Sequence, residues 1–403
     1  MTAVGLDAPA TAAAARAGIG RLRESEQFLD RHGSPIVEAC LPWPAADEGA
    51  DGDAADAAAD ADAADDLPTG DADAGDADAG DADAGDADEG DADGDALEVD
   101  PYALARERDA AARLADAAQR CLGDLLATHF AAAPGGAPVT LLLGLPGAWR
   151  PGPRFDGATA DALLAQLRRH VGGGEAALIA TGNASALRGV VHAAHAVAQD
   201  PARVCLVVGL DTLLAPETLR WYEESARLKS ATPGRNHALS PAEAVGVVVL
   251  ETPESARRAG RAVLAEVAGV GYGVEPNPFL SDRPSRGEGL TAACHAALAG
   301  GGVAPSDVGA VLADLDGEFH RAKEWSLAET RCLGSAEARE LVHPADCYGA
   351  VGAASGAVLL GIAAVGLARG WLTRPTLVVC SDDAGECAAV LLTPAPAPAR
   401  ATR

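Results

Sequence analysis

Apolar residues follow two different rhythms along this chain of 403 residues. Between residues 103 and 129 they recur every three or four positions, which places them on one face of a helix. Elsewhere they form short unbroken runs, such as Val139–Leu145 and Val204–Thr212, which are typical of fully buried strands. Helical stretches and apolar runs follow one another, so the pattern predicts an α/β protein with buried sheets.

The same rhythms predict the remaining elements. Helices are expected in three further stretches: Thr159–His170, Gly289–Ala299 and Ala322–Cys332. Strands are expected in four, the second and third as long neighbours: Ala176–Thr181, Ala244–Glu251, Arg261–Val274 and Val308–Leu315. The last predicted element is a hairpin over Thr376–Thr393, with a turn at residues 383–385. Both halves run strand, helix, strand and then a hairpin-like pair, which indicates internal duplication.

A tight bend joins a strand to a helix within Leu178–Asp200. The bend is Thr181-Gly182-Asn183, and many enzymes place a nucleophile at such a turn. Asn183 is neutral and does not act as a nucleophile. The sequence therefore has the elbow without the reactive group, and the same bend predicts a helix from there to the end of the stretch.

Gly349–Ala368 is a stretch of twenty residues without a charged side chain. A membrane-spanning helix is one interpretation, because the stretch is long enough to cross a bilayer. It is, however, rich in Gly and Ala, has few large apolar residues and precedes a strand-like sequence. A closely packed central helix of a soluble protein is therefore the favoured interpretation.

The net charge of −28 is concentrated in one segment. Residues 47–100 contain 23 acidic residues and neither Lys nor Arg, which leaves about −5 for the rest of the chain. From Gly70 the unit Gly-Asp-Ala-Asp-Ala repeats, and such a composition repels itself and buries little, so we predict a disordered insertion over residues 45–100. A calcium-binding repeat is the alternative, although the unit lacks the large apolar residue of such repeats. The acidity argues against a nucleic-acid partner.

The eight cysteines are dispersed singly, so neither a disulfide framework nor a zinc site is predicted. Free thiols indicate a reducing compartment, and the first residues lack the basic-then-apolar order of a signal peptide. We therefore expect a cytoplasmic protein without a metal, a cofactor or a membrane partner.

Three stretches in order resemble the β-ketoacyl-(acyl carrier protein) synthases of the thiolase superfamily. Ala176–Asp211 resembles the family's nucleophile elbow and the strand after it. Leu239–Gly273 resembles its acidic loop, strand, short helix and strand, and Gly349–Gly370 resembles a glycine-rich helix start. The resemblance covers Leu178 to Thr393 and implies a thiolase-like, five-layered αβαβα fold with two similar halves.

The implied halves span residues 1–240, interrupted by the acidic insertion, and residues 241–395, followed by a tail over 396–403. The family condenses acyl groups with a Cys at the bend and two His residues on loops of the second half. Carried over, the Cys position is Asn183, and the His positions fall near Asp314 and Tyr348. No catalytic residue of the family therefore stands at its place.

Some other residues are candidate substitutes. Cys347 lies beside the second His position and His320 lies six residues after the first, although a lone Cys is more often a small core residue. Ser185 opens the helix after the bend, where Ser usually makes local hydrogen bonds. His192 and His195 lie on a polar stripe of that helix without a third metal ligand, which favours a structural role.

The resemblance implies two functions of different kinds. The first is a catalytically degenerate pseudoenzyme of fatty acid or polyketide biosynthesis, acting as a non-condensing partner or as an acyl- or carrier-binding module. The alternative is an active acyltransferase of the 3-oxoacyl synthase type with relocated residues such as Cys347 and His320. The implied partners are a second copy paired through Ala176–Thr181, an active synthase in a heterodimer, and an acyl carrier protein. A third hypothesis is an interaction protein that uses the acidic insertion as an interface or spacer.

Overall fold

The computed structural model describes these parts of the chain: residues 1–41, 114–127, 139–153, 161–165, 168–169, 175–334 and 339–395. The predicted acidic insertion at 45–100 and the tail at 396–403 lie outside the described residues. Parts of the predicted helices at 103–129 and 159–170 also lie outside, but residues 114–127 and 161–165 are helical as expected.

Two large sheets and one small ribbon contain the strands of the described residues. The first sheet has the order β4-β3-β5-β6 and is parallel except for its last strand. Its strands are β3 (Val139–Gly144), β4 (Glu175–Ile179), β5 (Val204–Thr212) and β6 (Glu243–Leu250). The ribbon pairs β1 (Arg23–Leu29) with β2 (Pro35–Glu38).

The second sheet has the order β7-β11-β10-β8-β9. Its strands are β7 (Ala265–Val274), β8 (Ala310–Ala313), β9 (Glu340–Val342), β10 (Thr376–Ser381) and β11 (Glu386–Pro394). The last two form the predicted hairpin, with antiparallel pairing from Thr376 opposite Leu392 to Ser381 opposite Cys387.

Helices fill three layers around the two sheets. They are α1 (Ala8–Ala17), α2 (residues 114–127), α3 (Ser185–Gln199), α4 (Pro216–Glu224), α5 (Pro253–Arg258), α6 (Glu288–Gly301), α7 (Phe319–Cys332), α8 (Ala345–Tyr348) and α9 (Ser355–Arg369). The central helices α3 and α9 share one core with the inner faces of both sheets. Helices α6 and α7 cover the outer face of the second sheet, and α2 covers that of the first. The predicted five-layered αβαβα fold is confirmed.

One prediction about the strands is wrong. Ala244–Glu251 and Arg261–Val274 were expected to be neighbours, but β6 belongs to the first sheet and β7 to the second. The short helix α5 between them, with Pro253 at its start, carries the chain from one sheet to the other. We propose that the two similar halves divide within this connection, because β6 pairs with β5.

Helix α9 lies at the centre of the molecule. It begins at Ser355, later than the predicted Gly349, because a 3₁₀ turn at Gly352–Ala354 precedes it. Together with this turn it forms Gly352–Arg369, the one helical stretch among the described residues that is long and apolar enough to cross a membrane, and 78% of that stretch is buried. A Cβ atom on Gly356 would lie 2.7 Å from the Leu187 side chain, so the small residues of α9 permit close packing on α3.

Candidate functional site

The elbow before α3 is a 3₁₀ turn at Gly182–Ala184, and its glycine has a left-handed φ of 58°. The Ser185 hydroxyl accepts a hydrogen bond from the Thr181 N–H at 2.8 Å and donates to the Leu145 carbonyl at 2.8 Å. Both bonds hold the chain around the elbow, so this hydroxyl has the local role that the sequence predicts.

A second elbow of the same form precedes α9. Its Gly352 also has a left-handed φ, of 50°. Each elbow is held by an aspartate at the carboxyl end of a strand of the other sheet. Asp382 accepts a hydrogen bond from the Asn183 N–H at 3.3 Å, and Asp211 accepts one from the Ala353 N–H at 2.8 Å. The two halves therefore brace each other's elbows.

Further contacts fix the two aspartates. Asp382 accepts hydrogen bonds from Trp149 Nε1 and from the Ala384 N–H, both at 2.9 Å. Asp211 forms a buried ion pair with Arg150 at 2.5 Å. Burial raises the pKa of Asp382 to about 6.

Sequence reasoning missed these aspartates, although a signal was present. Leu206–Asp211 reads Leu-Val-Val-Gly-Leu-Asp, and Leu377–Asp382 reads Leu-Val-Val-Cys-Ser-Asp. The two stretches lie on equivalent strands of the two sheets, and each has at the carboxyl end of its strand the aspartate that braces an elbow. Comparing the halves with each other would have found both residues.

The structure brings the predicted site positions together around one small cavity. Asn183, Asp314 and Tyr348 all line it, and Asn183 Nδ2 donates a long hydrogen bond of 3.4 Å to Asp314 Oδ2. The cavity has a volume of about 10 Å³, which is at the lower limit of what one water molecule needs. It has no room for an acyl thioester.

Asp314 is a titratable group of this small cavity, which Asp316 and Tyr348 also line. Burial raises its pKa to about 7, although Arg321 at 3.8 Å and a hydrogen bond from the Ser381 N–H act in the opposite direction. The carboxyl group is therefore about half protonated near neutral pH. An imidazole of the family would supply an N–H donor and a basic nitrogen here, whereas Asp314 supplies a carboxyl group that can donate only in its protonated form.

Replacing Asp314 with Asn should change how stability depends on pH. The folded pKa of about 7 exceeds the ordinary 3.8, so the free energy of unfolding falls as the pH rises through this window. The variant has no carboxyl group at this position and therefore does not lose stability in this way. The free energy of unfolding of the variant minus that of the wild type should rise by about 1 kcal/mol for each pH unit. Urea unfolding between about pH 4 and about pH 7 measures the shift. Parallel curves for the two proteins would contradict the prediction.

A buried network of ion pairs lies behind the small cavity. Arg321 contacts Asp316 at 3.0 Å and Asp383 at 2.8 Å, and its Nη1 donates to the Ser381 carbonyl at 2.6 Å. Arg227 pairs with Asp383 on the other side at 2.7 Å. Burial opposes ionisation of Asp383, but these cations lower its pKa well below the usual range.

A second, larger cavity of about 360 Å³ opens next to the first. The His320 ring stacks on Phe279 in its wall, with centroids 4.0 Å apart, and its Nε2 lies 3.4 Å from Asp383. Phe319, with 69% of its surface exposed, stands at the mouth. A volume of this size is typical of small-molecule sites.

The remaining candidates line neither cavity. Cys347, on α8, belongs to the core between the sheets, where burial raises the pKa of its thiol. Burial and the charge of Arg188 lower the pKa of His192. Arg188 itself pairs with Glu386 at 2.7 Å. Among the residues that the structure describes, no group of three or more His, Cys, Asp or Glu side chains is arranged to hold a metal ion.

The strand predicted to pair between subunits is an edge strand. β4 pairs with β3 on one side, and its other edge has no partner strand within the described chain. Leu178 on this strand is 40% exposed. An apolar edge strand of this kind is a template for pairing with another chain.

Comparison with known proteins places the fold. A β-ketoacyl synthase from Burkholderia phymatum STM815 superposes with a TM-score of 0.68 at 14% identity, covering 98% of this chain and 97% of that one. A complex of the ketosynthase ApeO with its chain length factor ApeC from Xenorhabdus doucetiae gives 0.64 at 13% identity, with 98% and 96% covered. The chain matches no protein-family model and no curated protein.

A third similar structure is a type II polyketide synthase acyl-carrier protein in complex with its ketosynthase, AntDE:AntF. It gives a TM-score of 0.52 at 18% identity, covering 60% of this chain and 68% of that one. Other ketosynthases are covered over 54–56% of their length. The chain thus has the thiolase-like fold of the ketosynthases, as the resemblance predicts.

Proposed function

We propose that this chain is a non-condensing ketosynthase homologue, a partner subunit that binds an acyl or carrier-linked group. The observation that carries the proposal is the small cavity. The positions that hold Cys and His in the resembled family carry Asn183, Asp314 and Tyr348, and the space between them is about 10 Å³. The family's thiol is absent from the described lining, and a thioester has no space there.

The larger cavity is the proposed binding site. It is open, has a volume of about 360 Å³ and has aromatic walls at Phe279 and Phe319. Such a cavity suits a slender chain, and no thiol of the described residues lines it. Binding without covalent transfer follows from these two properties.

The active acyltransferase is the less favoured alternative. Its proposed residues are separated, because Cys347 lies in the core whereas His320 lines the larger cavity. Burial raises the pKa of the Cys347 thiol, which leaves little thiolate to attack an acyl group.

The free edge of β4 supports a partner subunit. Pairing there would extend the first sheet into another chain, either a second copy or an active synthase. Among the similar structures, ApeO is in complex with a chain length factor, and AntDE:AntF joins a ketosynthase to its acyl-carrier protein. We propose a dimer through β4, with an acyl carrier protein as the source of the bound group.

Incubation with a labelled acyl carrier protein tests the proposal. We expect no covalent acyl adduct by intact-protein mass spectrometry, because the elbow holds Asn183 in place of a thiol. An active synthase treated in parallel provides the positive control. Light scattering of the purified chain, alone and mixed with such a synthase, should show a dimer in at least one sample.

Two results would overturn the proposal. A covalent adduct that disappears in Cys347→Ala would establish the acyltransferase instead. A chain that stays monomeric in both samples would remove the partner role.

A further inference from the structure

We infer that the larger cavity binds a ligand whose inner end carries a protonated amine. The inference rests on the proposed function, because it names the class of group that this same cavity accepts. It concerns the charges on the cavity floor, which the fold alone does not dictate.

The floor of the cavity carries uncompensated negative charge. The buried residues that line it include the carboxylates Glu324, Asp382 and Asp383 and a single guanidinium, Arg321. The guanidinium is already paired with Asp383 at 2.8 Å. Within the described part of the chain, Glu324 and Asp382 have no ion-pair partner. An anion entering this space would meet net repulsion.

Glu324 has an acceptor available for a ligand. The residue is only 8% exposed, and its Oε1 accepts a hydrogen bond from Ser285 Oγ at 3.1 Å. No hydrogen bond or ion pair from the described residues engages its Oε2. A carboxylate oxygen that faces an open cavity accepts a hydrogen bond from water or from a ligand, and an ammonium group supplies both a donor and a compensating charge.

The walls and the mouth suit the same ligand. Phe279 is fixed between the Arg227 guanidinium, 4.4 Å from its ring, and the stacked His320 ring. Exposed Arg283, Lys323 and Asp282 stand on the rim, which therefore has a net positive charge. Charge therefore changes sign from a basic rim to an acidic floor. A chain that enters with its amine first matches this gradient, whereas a chain ending in a carboxylate opposes it.

The test compares three chains that differ only at their inner end. β-Alanyl, butyryl and malonyl derivatives of pantetheine, with an amide in place of the thioester, are titrated into the full chain by calorimetry. The β-alanyl and butyryl groups have the same number of heavy atoms. We expect the amine to bind at least about tenfold more tightly than butyryl, and malonyl to bind most weakly.

Glu324→Gln removes one charge and keeps the acceptor for Ser285. In this variant the preference for the amine should fall about tenfold while butyryl affinity stays the same. Glu329 lies on the same helix outside the cavity, so Glu329→Gln should keep the preference for the amine.

The outcomes separate the two proposals. Equal binding of the β-alanyl and butyryl derivatives would overturn the amine inference and leave the proposed function standing. If Glu324→Gln preferred the amine over butyryl as strongly as the wild type does, the assignment of Glu324 as the carboxylate that binds the amine would be overturned. No binding of any derivative would overturn the proposed function itself.

Discussion

Arg321→Met should lower the free energy of unfolding by about 3–5 kcal/mol, since removing one partner of a buried ion network leaves charges uncompensated. The guanidinium is 4% exposed and lies within 4 Å of four carboxylates: Asp314, Asp316, Glu318 and Asp383. Methionine occupies a similar volume, so packing changes little. Urea unfolding followed by circular dichroism at neutral pH measures the loss.

Arg257→Met is the matched control. This arginine pairs with Glu254 on the surface, where their side chains are 71% and 62% exposed, so its replacement should change stability by less than about 0.5 kcal/mol. A loss in Arg321→Met as small as in the control would show that the buried carboxylates protonate or hydrate without difficulty. The network would then not stabilise the site.

Gly182→Ala should destabilise the chain by about 3 kcal/mol or more, from a left-handed backbone and a steric clash together. A Cβ atom at this position would lie 1.8 Å from Asp382 Oδ1. Asp382 cannot easily withdraw, because Trp149 and the Ala384 N–H hold its other oxygen. Thermal and urea unfolding report the loss.

Gly302→Ala separates the two contributions. Gly302 has a similar φ of 61°, but no atom lies within 4 Å of the place that a Cβ atom would take, so about 1 kcal/mol is expected from the backbone alone. Combining Gly182→Ala with Asp382→Ala should recover part of the loss, because the clashing carboxylate is gone. Equal losses for the two glycine variants would refute the role of Asp382 at the elbow.

Much of the fold was predictable, because the spacing of apolar residues among sequence neighbours shows which faces of a helix or strand are buried. In β5 successive residues face different cores: Cys205 and Val207 face the central helices, whereas Leu206 and Val208 face α2. A strand buried on both faces has an unbroken apolar run, and the prediction for Val204–Thr212 agrees with its observed bounds. The pairing of β6 and β7 was predicted wrongly, because both have strand character and only sheet packing assigns partners.

Part of the candidate site was also predictable. The elbow and its Asn183 were visible in the sequence, and so were the positions of Asp314 and Tyr348 once the family resemblance supplied the places to look. The bracing by Asp382 was not visible, because it joins residues 199 positions apart. The pKa of Asp314 was equally hidden, since burial sets it.

The sequence by itself determined the alternation of helices and strands, the elbow without a nucleophile and the concentration of acidity in one segment. Each of these is a property of neighbouring residues, whose spacing and composition decide local structure and charge. The tertiary structure decided that Asn183, Asp314 and Tyr348 close a cavity of about 10 Å³, and that an acidic floor lies in the larger one beside it. These features depend on how two sheets pack on α3 and α9, because only packing sets the distance and the dielectric environment between residues far apart in the chain.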